Sequence, residues 1–167
     1  MHIAFIQEDQ YESTIDLLHD IGIHYNGENA APRQVVQQHF MQNLIGPDSA
    51  IRIAVATRDD GTVVGLVAIT MFHSLVNATP GETAQLYVKE LYVLRTERRS
   101  GIGEALMKWV ARYARSKNCV RVDWNVNAEN AAGLHFYQSL GAVAVDDRLC
   151  YRLSGAALTH AAKTGNG

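Results

Sequence analysis

Ile15, Leu18 and Ile21, with Leu17 beside them, place apolar side chains at three- and four-residue spacing and predict a helix from about Glu12 to His24, after a short strand at residues 3–7. A second helix is predicted after Pro32, whose fixed φ suits a first helical turn. It runs through Val35, Val36, Phe40 and Leu44 until Gly46-Pro47 stops it. Two apolar runs, residues 51–56 and 63–69, flank Asp59-Asp60-Gly61-Thr62 and read as a hairpin. After a loop over residues 74–82, the run from Gln85 to Leu94 is long and apolar enough for a strand lying centrally in a sheet. Ile102, Ala105, Leu106, Trp109, Val110 and Tyr113 then recur at helical spacing from about Ser100 to Asn118. Val120, Val122, Trp124 and Val126 alternate with polar residues as a strand does, and a last helix is predicted over residues 130–140, stopped by Gly141. Residues 142–146 and 148–153 read as a final hairpin, and the small-residue segment 154–167 as a partly disordered tail.

A chain of 167 residues, 47% hydrophobic, can bury one core and is short for two, so one domain over residues 1–155 with a flexible tail at 156–167 is expected. The formal charge of −2 supplies no global field toward nucleic acid or an anionic membrane. A local patch of Arg95, Arg98, Arg99, Arg112 and Arg115 lacks the interleaved aromatics of a nucleic-acid surface. No run approaches the ~20 apolar residues of a membrane span, and the first residues lack the pattern of a secretory signal, so a soluble, cytoplasmic protein is expected. Cys119 and Cys150 form no metal-spaced array and have no adjacent base; they read as small core residues, and no metal is expected.

Chemistry concentrates between the long strand and the helix after it. Arg98-Arg99-Ser100-Gly101-Ile102-Gly103 sits where backbone N–H groups at a helix N-terminus converge on an anion, with glycines that admit close approach and arginines that add charge. That geometry suits a pyrophosphate. A dinucleotide fingerprint would need a third glycine where Leu106 stands, and no Gly-Lys-Ser or Gly-Lys-Thr of a nucleotide-hydrolysing loop is present.

This run resembles the Q/R-x-x-G-x-G/A acetyl-CoA motif of the GNAT-type N-acetyltransferases, especially members that modify polyamines and antibiotics. Lys89-Glu90-Leu91-Tyr92-Val93 before it resembles the family's acidic-L-Y/F-V strand, and Asn130 to Tyr137 after it resembles the N-x-x-A-x-x-F-Y helix, with Gly133 in place of the usual alanine. The resemblance implies an α/β (α+β) fold: a mixed, mostly antiparallel central sheet flanked by helices and splayed at the acetyl-CoA site. It further implies that the backbone near Leu91, Tyr92 and Val93 bonds the pantetheine arm. Arg98, Arg99, Ser100, Gly101, Ile102, Gly103 and Glu104 would hold the pyrophosphate, with Asn130 as a helix cap, a CoA contact or both. A homodimer is the family habit, and residues 142–153 could pair between chains.

Direct acetyl transfer to an amine needs a neutral nucleophile, support for the developing oxyanion and a proton for the leaving thiolate. By the resemblance, Tyr137 is the proton donor; packing beside Phe136 is its other reading. Glu90 is the leading base, ahead of Asp123 and Glu129, with a salt bridge to Lys89 or Arg95 as its alternative role. Lys89 stands where similar members often carry glutamate, leaving Glu90 the only carboxylate there. Tyr25, Glu28, Tyr87 and Trp124 could line a pocket for a cationic amine. A small-molecule amine is the expected acceptor. Open alternatives are a protein amine, a longer acyl group, and a non-catalytic acyl-CoA sensor.

Overall fold

The computed structural model describes residues 1–163. They form two compact units, one from Met1 to Val126 and a second from Asn127 onward, each described by itself.

In the first unit, β1 (His2–Phe5) and α1 (Tyr11–Asn26) open the chain. α2 (Arg33–His39) follows and widens into a π-helical turn over Phe40–Leu44. Then come β2 (Arg52–Thr57), β3 (Val63–His73), β4 (Ala84–Val93), α3 (Ile102–Ser116) and the short β5 (Val122–Trp124). The five strands make one sheet in sequential order. The first four pair antiparallel, and β5 alone lies parallel to its neighbour β4. This is the mixed, mostly antiparallel sheet that the sequence implies.

The helix stripe read from the sequence is the buried one. Ile15 and Leu17 of α1 pack with Phe40, Ile53, Val55, Leu66 and Tyr92 in the core between the first helices and the sheet. α3 buries Ile102, Leu106, Met107, Val110 and Ala114. Its approach to the sheet depends on Gly65, where an added Cβ would meet Ile102 Cγ2 and the Tyr92 carbonyl at 3.1 Å and Leu106 Cδ1 at 3.2 Å. A side chain there would crowd Ile102 and Leu106, which would have to shift by a few tenths of an ångström.

Two irregularities shape β4. Ala68 and Ile69 of β3 face Glu90 and Val88, so Lys89 is the extra residue of a β-bulge, which bends the strand and re-aims its side chains. On the other edge the ladder to β5 covers only Leu86–Val122, Tyr87–Asp123 and Val88–Trp124. β4 runs five residues further, to Val93, with no strand on that side among the described residues.

In the second unit, α4 (Ala131–Ser139) starts at Asn130, whose side chain accepts a hydrogen bond from Gly133 N at 2.9 Å. It ends in a Schellman motif: Gly141 has φ 83°, its N–H bonds the Gln138 carbonyl, and Ala142 N–H bonds that of Tyr137. The hairpin expected over residues 142–153 does not form; no strand is assigned among the described residues there. Alternation supplies an apolar face, but a strand also needs a ladder, and a lone hairpin is marginal in water. Val143, Leu149 and Tyr151 stay exposed. Where a disordered tail is expected, Gly155–Lys163 instead forms α5. Residues 164–167 lie outside the described part.

Candidate active site

The turn from β4 to α3 is built to leave amides bare. A 3-10 turn, Arg95–Glu97, leads out of the strand, and Arg99 and Gly101 both take left-handed backbone, with φ of 66° and 84°. Such a conformation is routine for glycine and strained for arginine. Gly101 is the N-cap of α3 and has no side chain to cap with. The first bond of the helix is Ala105 N to Gly101 O, so the amides of Ile102, Gly103 and Glu104 precede any intrahelical acceptor. Three N–H groups at the positive end of a 15-residue helix thus converge beside a glycine with open space around its Cα.

The neighbouring side chains divide between holding this turn and lining it. Arg98 Nε donates to the Val93 carbonyl at 3.2 Å, and its guanidinium lies 5.2 Å from the Tyr92 ring centre. Ser100 donates its hydroxyl to the Glu97 carbonyl, and Glu97 pairs with Arg58 from the β2–β3 turn. Glu104 pairs with Lys108 along α3, and Ile102 is buried, so each of those two offers the turn its amide. The side chain of Arg99 is exposed beside the glycine.

On β4, Leu91, Tyr92 and Val93 occupy the stretch whose edge away from β3 has no strand partner. Extended backbone there can accept and donate the ladder bonds that β5 does not make. Immediately before it, the bulge brings Glu90 to the end of α1, where Tyr25 donates its hydroxyl to Glu90 Oε1 at 3.3 Å. Burial pushes the Glu90 carboxyl above the ordinary carboxylate range. Hydrogen bonds from Tyr25 and the Leu91 amide, with the charge of Lys89, pull it partly back. A half-buried carboxylate with raised basicity is what proton abstraction from an ammonium requires.

Beside Glu90, the Tyr92 hydroxyl donates to Asp20 Oδ2 at 2.8 Å and ties β4 to α1. Burial, then the Asp20 carboxylate, raises the phenol to about 12, so it stays a donor at neutral pH. Around this bond a cavity of about 340 Å³ opens between α1 and the β4–α3 turn, lined by Asp20, Ile23, His24, Tyr92, Arg95 and Thr96 among others. Asp20 and His24 were not singled out in the sequence. Their signal was there: Asp20 follows Leu17 by three residues on the buried stripe of α1, and His24 follows by four more. Of the other acceptor-side candidates, Asp123 is held by Arg121 at 2.8 Å, while Tyr87 and Trp124 lie in the paired part of the sheet. Glu28 sits in the 3-10 turn after α1. The second unit carries Asn130 as the cap of α4, Glu129 just before it, and Tyr137, whose ring lies edge-on to Phe136 at 5.1 Å. No group of three or more metal-ligating side chains occurs among the described residues.

With this geometry in hand, the chain can be set against known proteins. Residues 16–142 match the model of the Acetyltransferase (GNAT) family, and the chain belongs to that family. It is similar to the aminoglycoside N(6')-acetyltransferase type 1 of Klebsiella aerogenes, 26% identical over 113 residues, which cover 68% of this chain and 72% of that enzyme. It also resembles the L-ornithine N5-acetyltransferase of Arabidopsis thaliana, 36% identical over 73 residues, 43% of this chain and 32% of that one. An integron cassette protein from the mobile metagenome of V. cholerae shares the fold over 98% of both chains, with a TM-score of 0.88 and 26% identity. The chain is therefore a GNAT acetyltransferase, with relatives that acetylate amines.

The raised Glu90 carboxyl has a consequence for stability. Its folded form holds a proton to higher pH than its unfolded form, so stability is lost as pH rises through that window and stays lower above it. Glu90→Gln keeps the shape and removes the ionisation. Thermal unfolding across pH is expected to show the variant gaining on the wild type as pH rises from the ordinary carboxylate range to neutrality. A variant equally destabilised at every pH would contradict the burial argument.

Proposed function

We propose that the protein transfers an acetyl group directly from acetyl-CoA to the primary amine of a small molecule. The observation that carries this reading is the continuous donor track along β4 and α3. Unpaired strand edge at Leu91, Tyr92 and Val93 suits an extended, amide-bearing pantetheine chain. The bare amides of Ile102, Gly103 and Glu104, with Arg98, Arg99, Ser100 and Gly101 around them, suit a pyrophosphate. The names of the two enzyme relatives support an amine acceptor.

In the proposed reaction the acceptor nitrogen forms a bond to the thioester carbonyl carbon as the carbon–sulfur bond breaks. Glu90, or a water it orders, takes one proton from that nitrogen. Tyr137 gives its phenolic proton to the departing sulfur and regains one from solvent. Asn130 serves here as the cap that sets the start of the helix carrying Tyr137. We also propose a homodimer, supported by the exposed, alternating apolar side chains of Val143, Val145, Leu149, Tyr151 and Leu153.

Acetyl-CoA consumption with a panel of small amines tests the reaction itself; binding of CoA without turnover of any amine would leave a sensor instead. For the donor site, Gly101→Asp puts a carboxylate where the anion would lie, and Gly101→Ala carries the backbone strain without the charge. Calorimetry is expected to show CoA affinity falling far more in the aspartate variant, and equal affinities would reject the assignment. For the chemistry, Tyr137→Phe is expected to lower kcat by roughly 10²-fold with little change in melting temperature or CoA affinity. Glu90→Gln should flatten the acidic limb of the pH–rate profile and recover activity at high pH, where the amine loses its proton unaided. Wild-type turnover in both variants across pH would remove the two assignments. For the assembly, solution scattering should give a dimer mass, and a concentration-independent monomer would overturn it.

A further inference from the structure

The cavity at the end of α1 contains a cation, Arg95, that forms no ion pair among the described residues, although the Asp20 carboxylate lines the same space. Arg95 is the first residue after Leu94 in the turn leaving β4, and its Nη2 lies 3.4 Å from His24 Nδ1, a weak partner for a guanidinium. It takes part in none of the ion pairs formed among the described residues, although Arg33, Arg58 and Arg121 all meet carboxylates. Asp20, the carboxylate that lines the same cavity, accepts from the Tyr92 hydroxyl, and Glu97 is taken by Arg58. The Thr96 hydroxyl lines the same space and can donate. Within the lining of this cavity of about 340 Å³, the guanidinium of Arg95, the Thr96 hydroxyl and the His24 imidazole form a donor set for a carboxylate, while Asp20, the carboxylate of the lining, is held by the Tyr92 hydroxyl.

This donor set is joined to the amine end of the site by direct contacts. Glu90 meets Tyr25 at 3.3 Å, the rings of Tyr25 and His24 lie 5.1 Å apart edge-on, and His24 meets Arg95. An acidic pole and a basic pole thus stand at the two ends of one surface formed by the last turn of α1. A pure diamine would find the acidic pole alone. A molecule carrying an amine and an acid some way apart would find both, and its acid would orient the amine toward Glu90.

Resting on the acetyltransferase reading above, we infer that the acceptor is an amino acid or similar zwitterion, whose carboxylate is bound by Arg95 with His24 and Thr96. The other anion that could meet Arg95 is a phosphate of acetyl-CoA, since the same turn leads into α3. The two sources separate kinetically, because one moves the KM of the acceptor and the other that of acetyl-CoA.

The test uses amine pairs that differ by one carboxylate: L-ornithine against 1,4-diaminobutane, and L-lysine against 1,5-diaminopentane. In the wild type, kcat/KM is expected to favour the amino acid of at least one pair by roughly 10-fold or more, the scale of one charged hydrogen-bonded contact. Arg95→Ala should abolish that preference through the KM of the amino acid, leaving the diamine and the KM of acetyl-CoA unchanged. Arg95→Lys should restore part of it. A wild type that turns over only amines lacking an acid overturns the inference and leaves acetyl transfer standing. A loss in Arg95→Ala that falls on the KM of acetyl-CoA assigns the cavity to the donor and also overturns it. Failure with every amine, acidic or not, would bring down the underlying reading instead.

Discussion

A strand inside a sheet must satisfy two edges, and β4 does so only as far as Val88. The donor half of the molecule follows from that limit. β5 is three residues long and parallel, so it stops at Trp124 while β4 continues, and the bulge at Lys89 bends β4 at the point where the ladder ends. The backbone beyond has no strand on that edge to meet its hydrogen-bonding groups; Arg98 takes the Val93 carbonyl and Glu90 the Leu91 amide, and the rest are left to water or an extended ligand. The same bend turns Glu90 toward α1, which is why a carboxylate, an open strand edge and a cavity occur within a few residues of one another.

The anion-facing end of α3 is positioned by packing. Ile102 and Leu106 close on Gly65, at a distance where a methyl group would crowd them by a few tenths of an ångström. The first turn of the helix is therefore held by the core, with the bonds from Arg98 to Val93 and from Glu97 to Arg58 fixing the turn that enters it. In the proposed donor site the amides would meet an anion without moving, and binding there would lose little to reorganisation.

Much of this was legible in the residues. Periodicity located α1, β3, β4, α3 and α4 to within a few residues: α1 and α3 bury one apolar stripe, β3 is a continuous buried run, and α4, which buries no residue fully, was marked by its Asn130 cap and the Gly141 stop. The glycine turn was legible because its chemistry is local. What escaped has a common cause, dependence on partners distant in the chain. The bulge at Lys89 is a matter of register against Ala68 and Ile69. The Tyr92–Asp20 bond spans 72 residues, and Asp20 reads in the sequence as one more polar position on a helix. Residues 142–153 alternate as a strand should, yet alternation states only which side chains share a face and says nothing of whether a neighbour exists to pair with. The widening at Phe40–Leu44 likewise has no signature in apolar spacing.

The Tyr92–Asp20 bond divides the labour of the fold unevenly. On one side of it lie the backbone amides at the start of α3, held where they are by the packing of Ile102 and Leu106 against Gly65. On the other lie Tyr25, His24 and Arg95, exposed side chains on a helix end and a turn, which can be exchanged with little loss of stability. If the acceptor binds as proposed, a lineage built on this plan can change what it modifies by drifting at a handful of surface positions, while the proposed seat of the acyl donor stays fixed beneath them.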